Sequence, residues 1–252
     1  MGRITETVKH LIIINVIIWI ATITVGNNGV MTGLFGLHFP YNPLFRPWQI
    51  ITHMFMHSEG IFLHLLANMF GLFMFGSPLE RMWGRNKFLF FYFSAGLGAV
   101  LLPMVIDFYN FNSILNLLEN SGYNRQGVIE TLQNGDYLPN WIDSIGESKW
   151  STLKNLFFQE GVGASGCVMG LLVAFGMTFP NTELMLIFLP IPIKAKYFIP
   201  LILAYETISG VFGGMTFFGA NVAHFAHVGG ALFGFLMMWY WKKNQFNQNR
   251  WD

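Results

Sequence analysis

The sequence predicts an all-α membrane protein built around six transmembrane helices. Of its 252 residues, 53% are hydrophobic and only 11% are charged, whereas a soluble domain of this size carries about a quarter charged residues. Six apolar stretches approach the roughly 17–25 residues that a bilayer-crossing helix needs. These two observations indicate a chain that is solvated largely by lipid.

The connections between the predicted spans differ in their content of Lys and Arg. They cover residues 11–25, 61–75, 88–106, 163–179, 197–212 and 222–241. No small-residue cleavage site follows the first, so we expect it to be retained and not removed as a signal peptide. Lys and Arg are concentrated before the first span, after the second, before the fifth and after the sixth. The positive-inside rule therefore predicts that both termini are cytoplasmic, and we expect the bacterial cytoplasmic (inner) membrane as the location.

Two connections have a distinctive composition. Residues 31–49 are apolar, aromatic and proline-bearing, which suits a loop half sunk among the lipid headgroups. Residues 107–160 are polar, and we interpret them as a long extracytoplasmic insertion in a single domain of residues 1–252. Stretches 113–118 and 154–158 are predicted to form short amphipathic helices on the membrane surface. The insertion is either a solvated loop or a segment that restricts substrates or recruits a partner.

Composition argues against several classes of function. The net charge of +1 provides no electrostatic footprint for nucleic acid. The lone cysteine, Cys167, excludes an internal disulfide. His53 and His57 have i, i+4 spacing and His64 follows, but no H-E-x-x-H string is present, so we expect neither a metal nor a cofactor. A transporter would use Glu206 in the fifth span as a proton site; a neutral, hydrogen-bonded carboxyl group is the other interpretation.

A serine between glycines opens the fourth span, in the G-x-S-G of residues 163–166. Glycines let a substrate backbone come close to Ser165, and the orphan N–H groups of a helix start can stabilise an oxyanion. Small residues in membrane spans also serve as packing faces. Gly163, Ser165 and Gly166 are therefore candidate site residues by their type and position.

The sixth span supplies a candidate base. Gly230 and Gly234 form a G-x-x-x-G, which allows two helices to approach closely, and His227 shares that face. If the neighbouring helix is the fourth span, His227 can reach Ser165 as a general base. A structural hydrogen bond is the alternative. His224, one turn earlier, competes for the role but lacks the alignment with the glycines.

The second span contains His64 and Asn68, whose i, i+4 spacing places both on one helical face. Both side chains can donate hydrogen bonds to a developing oxyanion. They can equally form interhelical bonds that hold the bundle together.

Three motifs in register resemble the rhomboid family of intramembrane serine proteases: H-x-x-x-N at 64–68, G-x-S-G at 163–166 and A-H-x-x-G-x-x-x-G at 226–234. Residues 48–57 and 76–84 also resemble family segments on either side of the second span. The resemblance covers nearly the whole chain except about 107–160. It implies a six-transmembrane-helix rhomboid-type bundle, a Ser–His dyad with no acidic third member, and cleavage of transmembrane helices near the outer membrane face.

By that resemblance Ser165 is the nucleophile and His227 the base, and His64 and Asn68 stabilise the oxyanion with the Ser165 N–H. The expected partners are single-span or polytopic membrane protein substrates met within the lipid bilayer. A catalytically silent relative that binds membrane helices for quality control or trafficking is the alternative. Such relatives typically lack the serine or the histidine, and this sequence has both.

Two departures from the family pattern and one further likeness bear on the site. Met169 stands where family members often have an aromatic residue that stacks on the base, and the 107–160 insertion is long. The loop of residues 210–219, with Phe217 and Phe218, resembles the family's mobile cap beside a lateral gate at the fifth span.

Overall fold

The computed structural model describes residues 3–25, 29–58, 62–186, 189–212 and 223–245, and these ranges are predominantly helical. Their α-helices are, in chain order, α1 (Glu6–Val25), α2 (Val30–Phe35), α3 (Gln49–Thr52), α4 (Phe62–Gly71), α5 (Ser77–Trp83), α6 (Arg85–Asn120), α7 (Arg125–Gln133), α8 (Pro139–Ile145), α9 (Glu147–Phe158), α10 (Ser165–Thr178), α11 (Ala195–Phe212) and α12 (His224–Gln245). A 3₁₀ turn (His53–Phe55) follows α3, and a π turn (Leu72–Gly76) joins α4 to α5.

Each of the six predicted apolar stretches is helical over most of its length. Within the described ranges, three helical segments are both long enough and apolar enough to cross a membrane: Glu6–Val25, Phe62–Trp83 and Arg85–Asn120. Helix α10 is apolar but has only 14 residues. The chain is therefore capable of spanning a membrane, and the number of six spans stays a prediction.

Helix α6 extends far beyond the predicted end of the third span at residue 106. Its 36 residues correspond to about 54 Å at 1.5 Å per residue, whereas the hydrocarbon core of a bilayer is about 30 Å thick. Stretch 113–118, predicted as a separate surface helix, is the continuous last part of α6. The helix continues because Phe111, Ile114 and Leu118 are buried there against the helices that follow.

Residues 107–160 are folded around a hydrophobic core of their own and are not a solvated loop. The C-terminal part of α6 packs against α7, α8 and α9. Leu132, Trp141 and Phe157, one from each of these three helices, are at most 1% exposed. Stretch 154–158 is the end of α9. The polar residues that suggested a loop lie on the outer faces of these helices.

The loop of residues 31–49 is held by contacts with the rest of the protein, and its place among the lipid headgroups stays a prediction. Phe39 belongs to the core of the 107–160 unit. Asn42 donates a hydrogen bond from Nδ2 to the carbonyl oxygen of Phe157 at 2.7 Å, and Gln133 donates from Nε2 to the carbonyl oxygen of Tyr41 at 3.0 Å. The loop thus connects the inserted unit to the main bundle.

Helix α10 lies inside the main core, where ten of its 14 residues are buried. It contacts α4, α6, α11 and α12, as expected for a helix that is apolar all round. Its C-terminus leads into an antiparallel hairpin of β1 (Glu183–Leu186) and β2 (Leu189–Lys194). The all-α prediction missed this hairpin; Pro190 and Pro192 disfavour a helix there.

The start of α1, the junction between α5 and α6 and the C-terminal end of α12, all of which carry Lys or Arg, lie at one end of the bundle. The Glu80 carboxylate accepts hydrogen bonds from the Thr7 and Val8 N–H groups at the start of α1. At the same end, Lys87 lies over the Trp241 ring, 4.2 Å from its centroid, and Lys242 donates to the Met177 carbonyl oxygen at 2.7 Å. The beginning of α1 and the C-terminal end of α12 therefore lie on the same side.

Candidate functional site

Ser165 is the first residue of α10 and follows a turn that only glycine adopts easily. Gly163 has a φ of 132°, a conformation that L side chains rarely adopt. Ala164 precedes the helix without any side-chain cap. The first N–H groups of α10 lack acceptors within the helix, as at any helix N-terminus.

Backbone hydrogen bonds from the first loop hold this turn in place. Leu37 and Gly161 exchange N–H···O bonds of 2.9 and 2.8 Å, and Gly163 donates to the His53 carbonyl oxygen at 3.0 Å. The segment that enters α10 is thus paired to residues more than a hundred positions earlier. Sequence reasoning did not identify these contacts, because backbone pairing across that distance leaves no pattern in side-chain type.

His64 of α4 lies beside the serine turn. A Cβ atom added to Gly163 would lie 3.3 Å from His64 Cε1 and 3.5 Å from Ser165 Oγ, so both side chains border the same glycine. The Nδ1 atom of His64 is buried without a hydrogen-bond partner among the described residues. Asn68 is buried and donates from Nδ2 to the His64 carbonyl oxygen at 2.9 Å, within its own helix.

Helices α10 and α12 approach each other through glycines. A Cβ atom added to Gly230 would lie 2.0 Å from the Gly166 carbonyl oxygen, and one added to Gly234 would lie 2.8 Å from Gly170 Cα. A Cβ atom on Gly166 would lie 3.4 Å from the carbonyl oxygen of Ala226, the neighbour of His227. This contact brings the beginning of α12, with His227, beside the beginning of α10, with Ser165.

The glycine pattern on α10 is a feature that the sequence analysis missed. Gly166 and Gly170 have the same G-x-x-x-G spacing as Gly230 and Gly234 and contact them across the interface. The spacing is visible in the sequence, so it was a usable signal for the helix that faces the sixth span.

His227 has an acidic neighbour, which the sequence did not place beside it; the Ser–His dyad without an acidic member stays a prediction. Glu206 of α11 lies with Oε1 3.1 Å from His227 Nδ1 and Oε2 2.7 Å from His224 Nδ1. All three side chains are largely buried, at 9–14% exposure. The contact with His224 is a hydrogen bond, whereas His227 Nδ1 lies at hydrogen-bond distance without hydrogen-bond alignment.

Two further histidines lie behind His64. The His57 ring centroid is 5.3 Å from that of His64, and neither His57 ring nitrogen has a partner among the described residues. Burial lowers the pKa of His53 to about 4, and burial together with the neighbouring His64 lowers the pKa of His57 to about 3. Both imidazoles are therefore neutral at physiological pH. In the part of the chain that the structure describes, no group of three or more His, Cys, Asp or Glu side chains could hold a metal ion.

Most of the residues singled out from the sequence thus lie at one end of the bundle, where α4, α10 and α12 meet. The structure does not describe most of the predicted cap, the loop of residues 210–219. Residues 213–222, which include Phe217 and Phe218, lie outside the described residues.

Comparison with known proteins agrees with the motifs. A model of the Rhomboid domain family matches residues 44–114 and 143–244. Rhomboid protease AarA of Providencia stuartii is 26% identical over an alignment of 200 positions that covers 75% of this chain. The mitochondrial presenilin-associated rhomboid-like protein of Homo sapiens is 28% identical over 184 residues, which are 73% of this chain.

These relatives are longer proteins: the matched part is 54% of AarA and 35% of the human protein. The family match omits residues 115–142, which lie in the separately packed unit. Because the family model covers well over half of the chain and three helices can cross a membrane, the chain is an integral membrane protein that belongs to the rhomboid family.

Proposed function

We propose that this chain is an intramembrane serine endopeptidase that cleaves transmembrane helices of membrane proteins near the outer membrane face. The family includes a relative named as a protease, which supports hydrolysis of peptide bonds as the kind of activity. The observation that carries the proposal is the contact of α10 with α12. Glycines at that contact bring the helix ends that bear Ser165 and His227 together, and His64 borders the same turn.

In the proposed chemistry, Ser165 forms the covalent bond to the substrate and His227 carries the proton. The Ser165 Oγ attacks the scissile carbonyl carbon while its proton passes to His227 Nε2. The imidazolium then gives that proton to the leaving amine nitrogen, and water releases the acyl group by the reverse sequence. The negative oxygen of the intermediate would be stabilised by the Ser165 N–H, His64 and Asn68.

The proposed orientation places six spans in the membrane, with both termini in the cytoplasm of a bacterial cell. The concentration of Lys and Arg at the end that holds the beginning of α1 and the C-terminal end of α12 supports it. The end with Ser165 and the inserted unit of residues 107–160 would then face the outside. Substrates would be single-span or polytopic membrane proteins that approach within the bilayer.

The test compares purified variants on a single-span model substrate in detergent. Wild type should cleave it, and Ser165→Ala and His227→Ala should each reduce the rate to background. Labelling by a fluorophosphonate, which bonds to an activated serine oxygen with loss of fluoride, should be lost in both variants. Ser144→Ala and His10→Ala are controls because both residues are exposed and lie apart from the site. A folded wild-type protein that neither cleaves nor labels would favour the catalytically silent alternative.

His224→Ala decides which histidine is the base. It should retain measurable cleavage, because His227 keeps its alignment with Gly230 and Gly234. Loss of activity through His224 together with a dispensable His227 would reverse the assignment.

A further inference from the structure

A buried carboxylate is shared by two histidines at the candidate site. Glu206 accepts a hydrogen bond from His224 at 2.7 Å and lies 3.1 Å from His227, in both cases facing Nδ1. The two histidines are three positions apart and so occupy one face of α12. Glu206 is the acidic residue of α11 that contacts both histidines.

The arrangement constrains the protons of His227. A buried carboxylate is costly unless it accepts hydrogen bonds; here His224 Nδ1 is hydrogen-bonded to Glu206, and His227 Nδ1 lies 3.1 Å from the other carboxylate oxygen. A neutral imidazole carries one proton, so donation from Nδ1 leaves Nε2 as an acceptor. Nε2 is the atom that the proposed mechanism needs for the serine proton. Catalytic hydrogen bonds are often long or poorly aligned before substrate binds. The poor alignment between His227 Nδ1 and Glu206 Oε1 agrees with that behaviour.

We propose that Glu206 is a positioning residue for the base, an inference that rests on the proposed function. It holds His227 through Nδ1, sets the tautomer that leaves Nε2 unprotonated, and stabilises the imidazolium after Ser165 has transferred its proton. Glu206 stays ionised throughout, and the proton leaves His227 only toward the amine leaving group. His224 shares the carboxylate and orients it toward His227.

A purely structural link between α11 and α12 would have other consequences. It would determine how many molecules are folded, but not how fast each folded molecule turns over. A link that controls substrate entry past α11 would change KM before kcat. The experiment therefore has to measure kcat per active molecule.

The test uses the full chain in detergent, with wild type, Glu206→Gln, Glu206→Asp, Ser165→Ala and the control Thr207→Val. Thr207 is the neighbouring residue on α11 and is exposed, and its hydroxyl donates to the Leu203 carbonyl oxygen within the same helix. Fluorophosphonate labelling run to completion counts the active molecules, the initial labelling rate reports serine activation, and melting temperature reports folding. Cleavage of the model substrate provides kcat and KM.

We expect Glu206→Gln to lower kcat per labelled molecule and the labelling rate about 10- to 100-fold, the value of one hydrogen bond to a charged group. KM should be unchanged, Glu206→Asp should recover part of kcat, and Thr207→Val should match wild type. If Glu206→Gln does not fold, Glu206→Asp decides: a lowered kcat supports the inference, and a wild-type kcat overturns it.

Three further results would overturn the inference. One is a wild-type kcat per labelled molecule in Glu206→Gln, which would mean that Glu206 only links α11 to α12 structurally. Another is a change confined to KM, which points to substrate entry. In both cases wild type is active and Ser165→Ala is not, so the proposed function stands. The third is a wild type without labelling or cleavage, which removes the proposed function and this inference together.

Discussion

At the scale of single residues, His64 and Asn68 share one face of α4 but differ in their hydrogen bonding. Asn68 already donates to the His64 carbonyl oxygen. The His64 ring borders Gly163 and Ser165, and its Nδ1 atom has no partner in the described part of the chain. His64 is therefore the better placed of the two to donate to an oxyanion, and Asn68 supports the helix that carries it.

We expect His64→Ala to lower kcat on the order of 10²–10³-fold, the usual effect of losing an oxyanion donor. Asn68→Ala should lower kcat only about tenfold, because it removes one buried hydrogen bond. Neither should raise KM, since oxyanion contacts form in the transition state. Steady-state kinetics per labelled molecule measure both. Leu66→Ala is the control, because Leu66 lies on the exposed face of α4. A larger loss in Asn68→Ala than in His64→Ala would contradict the distinction.

At the scale of elements, the interface of α10 and α12 has no room for side chains. Gly166 and Gly170 face Gly230 and Gly234, with backbone atoms within 2.0–2.8 Å of the added Cβ positions on α12. Such an approach maximises van der Waals contact between helices in a membrane, where the hydrophobic effect does not drive association. The same approach sets the position of the helix end that carries His227.

Gly230→Ala should both destabilise the protein and lower serine labelling. The new methyl group would meet the Gly166 backbone at 2.0 Å, and overpacking of this kind costs about 1–3 kcal/mol. The helices would separate, which moves His227 away from Ser165. Melting temperature and fluorophosphonate labelling rate measure the two effects. Gly33→Ala is the matched control, because a Cβ atom there meets nothing within 4 Å. An unchanged labelling rate in Gly230→Ala would show that the interface does not position the base.

At the scale of the whole molecule, two hydrophobic cores meet at the first loop. One core lies in the helical bundle and the other in the unit of residues 107–160. Phe39 belongs to the second core, while the neighbouring Leu37 pairs with Gly161 just before the serine turn. The unit is thus connected to the position of Ser165 through a short stretch of backbone.

Trp141→Ala should loosen this unit and, through the loop, reduce labelling of Ser165. Trp141 is 1% exposed, and truncation of a buried tryptophan costs about 3–5 kcal/mol. Limited proteolysis within residues 107–160 and fluorophosphonate labelling, both followed against temperature, should change over the same range. Asp143→Ala, at an exposed position of the same helix, is the control. If labelling persists after the unit is cleaved, the two cores are independent.

Features that depend on local patterns could be predicted from the sequence. Apolar stretches predicted helices at the right places, because a lipid-facing helix needs a continuous run of apolar residues. Motif spacing indicated the rhomboid family, and the family match confirmed it. Residue type and helical spacing also marked Ser165, His227, His64 and Asn68 as candidates, and their roles stay predictions.

Contacts between distant residues became visible in the folded chain. Glu206 was an isolated carboxyl group in the sequence, and its place beside His224 and His227 depends on how α11 packs against α12. Residues 107–160 were expected to be a loop or short surface helices, yet they bury a core with Phe39. In both cases the partners are separated along the chain by many residues. Their contact depends on the packing of whole helices, which hydropathy and local spacing do not encode.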